Sequence, residues 1–480
     1  MTNSPQPIGT SQPPGGKTWT VGTLTYTRHQ LLNVFFWLLW GDFCLTLMDG
    51  FVTGPVLNLQ LDAAGLSKST IGFLNGTVMA VMSALLVSVI GTASDRHRGR
   101  LGRRLPFLLW STPPLAFCLL LVGFSPRLAI WLGESSPAAA AFFGKLASII
   151  PGAGGLPPAT HTFLAILTFS LVVYKLFDLF PQSVYYYLWA DVIPAKLMGT
   201  FACMFRIVAS IGMFLFNRYL LGWAATHPEA LYIGAAGLYL LSFIAMSFLV
   251  KEGQYAPAPA RPPKRRWLTS VRMYAAECYT SAFYWKLFIT NACFIIAVKS
   301  FMSFAPIFGT KGMNLSQQRY GELISIKDLV TIIPFLLLGP LADRYHPLRA
   351  GLVAYFLVLA CGLTSFFMIR NEFTFAVWMT ATFTAIAVFQ AATGAIMPRL
   401  LPRERYGQFN SANSVVWQLG WATAAWMCGK FLDAMGDMRY LFLWFAAFCF
   451  VGFISMIWLY FDWKRLGGDE HYVPPEPAAA

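Results

Sequence analysis

Lys175 and Asp178 lie three residues apart in SLVVYKLFDLFPQSVYYYLWADVIP, Ser170–Pro194, a stretch otherwise apolar enough for a bilayer. A carboxylate shielded from water can take up and release a proton, and burial and a neighbouring cation act on that equilibrium in opposite senses. The pattern is wider than one pair. Asp42, Asp49 and Asp328, with Arg206, Lys299 and Lys327, also fall inside apolar runs, giving four acids and four bases. On insertion scales each charge near a bilayer centre costs about 2.5–3.5 kcal/mol. Such charges must face the protein interior, a wet cavity or one another. They can neutralise one another as structural pairs, or bind a solute and a coupling ion. The two uses are compatible, because a pair that breaks on binding is a gate. Lys175 and Asp178 share a helix face, whereas Lys327 and Asp328 are adjacent, do not, and are the weakest case for pairing.

The elements that carry these charges follow from composition. The 480 residues are 57% hydrophobic and only 12% charged, against about 25% charged in soluble domains, which excludes a cytosolic enzyme. A hydrocarbon core needs roughly 20 apolar residues of helix. Twelve segments qualify, at about 30–56, 70–94, 105–124, 161–190, 198–221, 230–250, 286–308, 320–342, 349–369, 373–397, 407–433 and 438–461. At 1.5 Å per residue, Asp178 lies about 20 Å from Asp191 at the end of its span, and Asp42 and Lys299 lie at similar depth. The expected fold is all-α and integral to the membrane, twelve transmembrane helices in two pseudo-symmetric six-helix bundles.

The formal charge of +14 invites a nucleic-acid partner, but the distribution argues against one. With a cytoplasmic N-terminus, cytoplasmic segments hold 22 of the 35 Lys and Arg, the positive-inside pattern. Both termini are then cytoplasmic, in a multi-pass protein of the plasma membrane, a bacterial inner membrane being the expected setting. The basic runs read as topology signals and as contacts for lipid headgroups. The eight cysteines form no C-x-x-C pair, so neither a zinc site nor a disulfide framework is supported and no metal is expected. No G-x-x-x-x-G-K-[ST] loop is present for an ATP-driven pump.

The chain divides into a disordered tail over 1–28, a bundle over 29–250 with an outer loop at 125–160, a polar linker over 251–285, a bundle over 286–462 and a tail over 463–480. Residues 138–150 of the outer loop read equally as a short helix or an ordered loop. The halves echo each other. GTASDR at Gly91–Arg96 matches GPLADR at Gly339–Arg344, and Pro194, Gly199, Phe201 and Gly212 match Pro402, Gly407, Phe409 and Gly420. One insertion, the outer loop, reconciles the two offsets. A duplicated six-plus-six plan is the layout of a rocking transporter with its site at the midplane.

The run Gly91–Phe107, GTASDRHRGRLGRRLPF, resembles the signature of the major facilitator superfamily, and within it the glycoside–pentoside–hexuronide cation symporters and their sucrose-transporter relatives. The resemblance implies alternating access and cation coupling. It makes Gly91, Asp95, Arg96, Arg100, Gly102, Arg103, Arg104 and Asp191, with Asp343 and Arg344 of the second half, a cytoplasmic gate. Asp178 and Asp191 have the thirteen-residue spacing of the melibiose-permease branch, which implies that Asp178 serves the cation site with Lys175 as partner. Asp42, in Gly41–Phe43, resembles that branch's sugar-contacting aspartate, and Arg206 its arginine in span 5. Sodium-coupled members carry carboxylates in span 2, and this chain has none there, so a proton is the expected coupling ion rather than Na⁺, with no other cofactor.

A sugar site needs aromatic faces and hydrogen-bonding groups. Gln182 and Tyr186 of span 4, and Asn413, Trp417 and Gln418 of span 11, are the candidates beside Asp42, Arg206 and Lys299. Trp189 reads as a membrane-interface residue. The expected partners are a sugar or glycoside and membrane lipid, with the chain a monomer. Lys299 and Arg206 keep an anionic sugar or organic acid open. Lipid transport, and a non-transporting role in assembling pigment complexes, are further readings that the resemblance brings.

Overall fold

The computed structural model of the chain describes residues 18–48, 54–148, 158–194, 197–255, 267–337, 346–394, 396–402 and 405–475. Among these residues, ten helices are long and apolar enough to cross a membrane. They are Arg28–Met48 (span 1), Lys68–Arg96 (span 2), Leu105–Ser135 (span 3), Pro158–Val192 (span 4), Met198–Leu215 continued to Thr226 (span 5) and Pro228–Leu249 (span 6). Ala282–Gly312 (span 7), Pro347–Met368 (span 9), Glu372–Leu400 (span 10) and Tyr440–Arg465 (span 12) make up the rest. Two more helices complete the set: Gln317–Val330 (span 8), which is shorter, and Tyr406–Met435 (span 11), which is richer in Asn, Gln and Ser. Both pack across the molecule, span 8 on span 5 and span 11 on span 2. Their polarity fits that placement, since a helix facing protein or water needs no lipid-compatible surface.

The halves meet at the end opposite the Gly91–Phe107 loop, here the far end. Asn58, on the short helix Pro55–Ala63 that follows span 1, donates to the Ser303 carbonyl at 2.6 Å, and Asp62 pairs with Lys311 at 2.7 Å. Asp433 accepts from the backbone of Lys68 and Ser69 at 3.1 and 2.9 Å, and Arg218 lies 3.7 Å from Glu322. Glycines allow this approach. A Cβ on Gly72 would stand 2.1 Å from the Ala425 carbonyl oxygen, and one on Gly321 2.1 Å from that of Asn217. Spans 2, 5 and 7 each carry a π-helical turn at this contact, Phe73–Val78, Phe216–Leu220 and Phe308–Gly312. Such turns widen a helix locally and often mark functional positions.

The connecting segments carry structure of their own. Within the tail read as disordered, Trp19–Val21 pairs with Leu24–Tyr26 as an antiparallel hairpin, turned at Gly22 with φ +55°. Its Thr23 accepts from the Gln254 backbone at 2.8 Å, which gives the segment a fixed partner. In the outer loop, span 3 runs on to Ser135 and Pro137–Ala147 is a helix, while residues 149–157 lie outside the described residues. The linker contains a helix, Trp267–Tyr279. The last tail folds back on the second half, with Asp469 on Arg349 at 2.7 Å, Tyr472 donating to the Leu400 carbonyl and Tyr284 to that of Pro475.

Candidate functional site

Span 4 holds the best-defined buried charges. Lys175 Nζ donates to Asp178 Oδ2 at 2.9 Å, with side chains 11% and 4% exposed. Three-residue spacing stacks the two on one helix face. Pro181 lies inside the helix, and its missing N–H leaves the Phe177 carbonyl without its helical donor. A freed carbonyl therefore stands beside Asp178.

Asp42 is buried beside the Tyr185 hydroxyl, which donates to the Leu38 carbonyl one turn away. It thus sits two turns along span 4 from Asp178. Of the three tyrosines Tyr185–Tyr187, Tyr185 is buried and Tyr186 is 40% exposed; Gln182 is half-buried. Trp189 packs against span 5, its ring 4.5 Å from that of Phe205 and 5.0 Å from that of Phe201.

Span 7 is the most enclosed of the ten helices and keeps one accessible stripe. Asn291, Ile295, Lys299 and Met302 form that stripe at helical spacing. Lys299 Nζ lies 5.6 Å from the Trp417 ring and 6.0 Å from Trp421, neighbours one turn apart on span 11. Asn291 donates to Asn413 at 3.2 Å. Gln418 is buried with its carbonyl oxygen lacking a hydrogen-bond partner. The sequence reading missed Trp421, although its four-residue spacing from Trp417 was the signal.

Lys327 and Asp328 do pair, contrary to the expectation from helix faces. The four-carbon lysine stem reaches round the helix, which ends at Val330, and its ammonium lies 4.5 Å from the Phe383 ring. Asp328 also accepts from Asn217 of span 5 at 2.8 Å. Arg206 is exposed and lies 5.4 Å from the ring of Phe335, five residues beyond the end of span 8; among the described residues no carboxylate is within ion-pair distance. Asp49, and Asp343 with Arg344 in the second-half repeat, lie outside the described residues.

At the signature loop, Asp191 takes Arg103 Nε at 2.9 Å and Arg104 Nε at 3.2 Å, and Arg104 also bonds Asp95 and Ser94. Hydrogen bonding to Asp191 pushes the Arg103 pKa up. Gly91 is buried against Tyr187, Arg96 is half-buried and Arg100 is exposed. A residue absent from the sequence reading organises this corner. Glu252 accepts the backbone N–H groups of Arg103, Arg104 and Leu105 at 2.9, 2.8 and 2.7 Å, capping span 3 from outside its own segment. Tyr255 donates to Glu252 at 2.7 Å and lies 4.3 Å from the Arg103 guanidinium. Gly102 is required twice: its φ is +106°, and a Cβ would fall 2.5 Å from the Glu252 carboxyl carbon. Glu252→Ala removes the two carboxylate oxygens that accept these three N–H groups, and a loss of about 1–3 kcal/mol is expected, read as a lowered Tm in detergent.

Two groups of membrane helices that close on each other at one end, with ion pairs buried in the spans, define a helical membrane transporter. The family model for the Major Facilitator Superfamily matches residues 39–424, and the chain belongs to that superfamily. It is a multi-pass membrane protein of the secondary-transport class. No curated protein matches in sequence. Among solved structures, a bacterial homologue of the iron transporter ferroportin in an inward-facing state superposes with TM-score 0.61 at 16% identity, covering 90% of this chain and 98% of that one. A point mutant of the nucleoside transporter NupG gives 0.60 at 13%, covering 90% and 100%. A D-xylose-proton symporter gives 0.59 at 13%, covering 94% and 99%. At these identities the likeness is one of fold.

Proposed function

We propose that the chain is a proton-coupled symporter of a sugar or glycoside, working by alternating access in the plasma membrane as a monomer. The observation that carries this reading is the Lys175–Asp178 ion pair, buried in the middle of span 4 of a superfamily transporter. A carboxylate held by one ammonium can accept a proton by releasing that ammonium, so proton uptake is a discrete switch. A Na⁺ site would call for several oxygen ligands. Asp178 takes the proton, and Lys175 reports its state by pairing or letting go. On the charge distribution the signature end is cytoplasmic, so closure at the far end corresponds to an inward-facing state.

The solute would lie between the exposed Tyr186 with Gln182 on one side and Lys299, Asn413, Trp417 and Gln418 on the other. The tryptophan faces suit the C–H faces of a sugar ring, and the unpartnered Gln418 oxygen suits a hydroxyl donor. Arg103, Arg104, Asp95 and Asp191 form the inner gate. The test is uptake in proteoliposomes across a panel of sugars with an imposed pH gradient. Accumulation that collapses with a protonophore is expected; no flux across the panel would contradict the reading.

A second reading, an anionic sugar or organic acid, is favoured by Arg206, exposed with no described carboxylate partner while Asp178 and Asp328 are held by lysines. On that reading Arg206→Gln lowers uptake of a uronide by about tenfold, the value of one charge-assisted hydrogen bond, and leaves neutral sugars unchanged. Competition assays with glucuronide and its neutral glucoside distinguish the two.

A further inference from the structure

Spans 8, 9 and 10 enclose a crevice of about 970 Å³ that plays no part in the proposed transport path. Its volume is at the upper end of the roughly 300–1,000 Å³ of pockets that hold small molecules. The walls are apolar, with Leu323, Ile326 and Val330 of span 8, Leu357 of span 9, and Val377 and Ala381 of span 10. Ile326, Leu357 and Val377 are each more than two-fifths exposed, so the crevice opens outward. From Arg319 to Val330 it follows span 8 for about 17 Å, and from Glu372 to Ala385 it follows span 10 for about 20 Å. A single leaflet is half of a hydrocarbon core about 30 Å thick. The crevice is therefore as deep as one acyl chain is long.

Its charges are confined to the rim. Arg319 donates through Nε to Glu372 at 2.9 Å and through Nη1 to Glu322 at 3.1 Å. Arg319 and Glu372 are about half exposed, at 48% and 51%, and both line the crevice. Cation and carboxylate side by side at the mouth of an apolar slot match a headgroup that carries both signs. Arg319 can hold a phosphate, and Glu372 can accept from an ammonium that has N–H groups to donate. A quaternary ammonium offers no such donor, and an anionic headgroup would meet Glu372 and Glu322 as like charges.

We infer that this crevice binds one phospholipid with a primary-ammonium headgroup, phosphatidylethanolamine, from the leaflet at the far end. The acyl chain occupies the slot, the phosphate sits on Arg319 and the ammonium on Glu372. Glu322, which shares Arg319, also reaches Arg218 across the halves at 3.7 Å. The lipid thus stands one residue from a tie that holds the far end closed.

The test is native mass spectrometry of the full chain extracted from vesicles holding equal phosphatidylethanolamine and phosphatidylcholine. The wild type is expected to retain phosphatidylethanolamine on the order of tenfold more, the value of one charge-assisted hydrogen bond. Glu372→Gln lies on the exposed rim, leaves the Asn371–Thr374 capping box in place, and is expected to remove the preference. Ala381→Trp, which fills the slot, is expected to remove the retained lipid altogether. Equal retention of the two lipids by the wild type would overturn the inference. So would a preference that both variants keep, or displacement by phosphatidylglycerol at equal concentration.

Discussion

Gly76→Val is expected to abolish transport and to hold the molecule open at its far end. A Cβ at Gly76 would stand 1.9 Å from the Ala425 Cβ, and one at Gly429 would stand 2.2 Å from the Lys68 carbonyl oxygen. Spans 2 and 11 therefore meet at backbone distance, and no rotamer can make room for a branched side chain there. Overpacking a close contact costs about 1–3 kcal/mol or more. That cost falls only on the closed state, since separated helices leave the position in open space. A penalty on one of two states shifts their ratio by roughly 5- to 150-fold. The check is maleimide labelling from the far side at a single cysteine replacing Asn75, in a background without the eight native cysteines. About tenfold faster labelling with loss of uptake is expected. Unchanged labelling and uptake would show that these helices do not form the closing contact. Gly76→Ala should give a smaller effect of the same sign.

Asp178→Asn is expected to reduce accumulation against a gradient to about a tenth or less and to make residual flux insensitive to pH. The amide does not titrate near neutral pH, so the switch at Lys175 is lost. The same change leaves the Lys175 ammonium buried without its carboxylate. Breaking a buried pair in this way costs about 3–5 kcal/mol in soluble proteins. A lowered Tm is therefore expected along with the transport defect. Accumulation at wild-type level would contradict the assignment.

The helical plan was legible because lipid leaves so few choices: runs of about 20 apolar residues can only be helices with their backbone groups satisfied internally. Span 4 was legible in more detail, since Lys175 and Asp178 are three residues apart on one helix and local spacing fixes their contact. Contacts made between distant segments were not. Nothing in the spacing of Gly102 or Arg103 points to Glu252, about 150 residues on, yet that carboxylate caps span 3 and explains the glycine. The hairpin at Trp19–Tyr26 escaped for the same reason, because its partner, Gln254, lies far along the chain. Lys327–Asp328 was misjudged because helix-face geometry describes Cβ directions and not the reach of a lysine. Asp42 and Asp178 look equally deep by residue count, but the structure puts Asp42 at Tyr185, two turns along span 4. Depth along a span does not fix which neighbours a side chain meets.

The central claim, that the span-4 pair is a proton switch and more than a structural tie, is tested most directly by removing both charges together. Lys175→Met with Asp178→Leu leaves neither ion stranded, and apolar replacement of a buried pair is often neutral or stabilising. pH-gradient-driven uptake by this double variant in proteoliposomes should be lost while its Tm stays within a few degrees of wild type. Full gradient-driven accumulation by the double variant would contradict the claim and leave the pair a structural one.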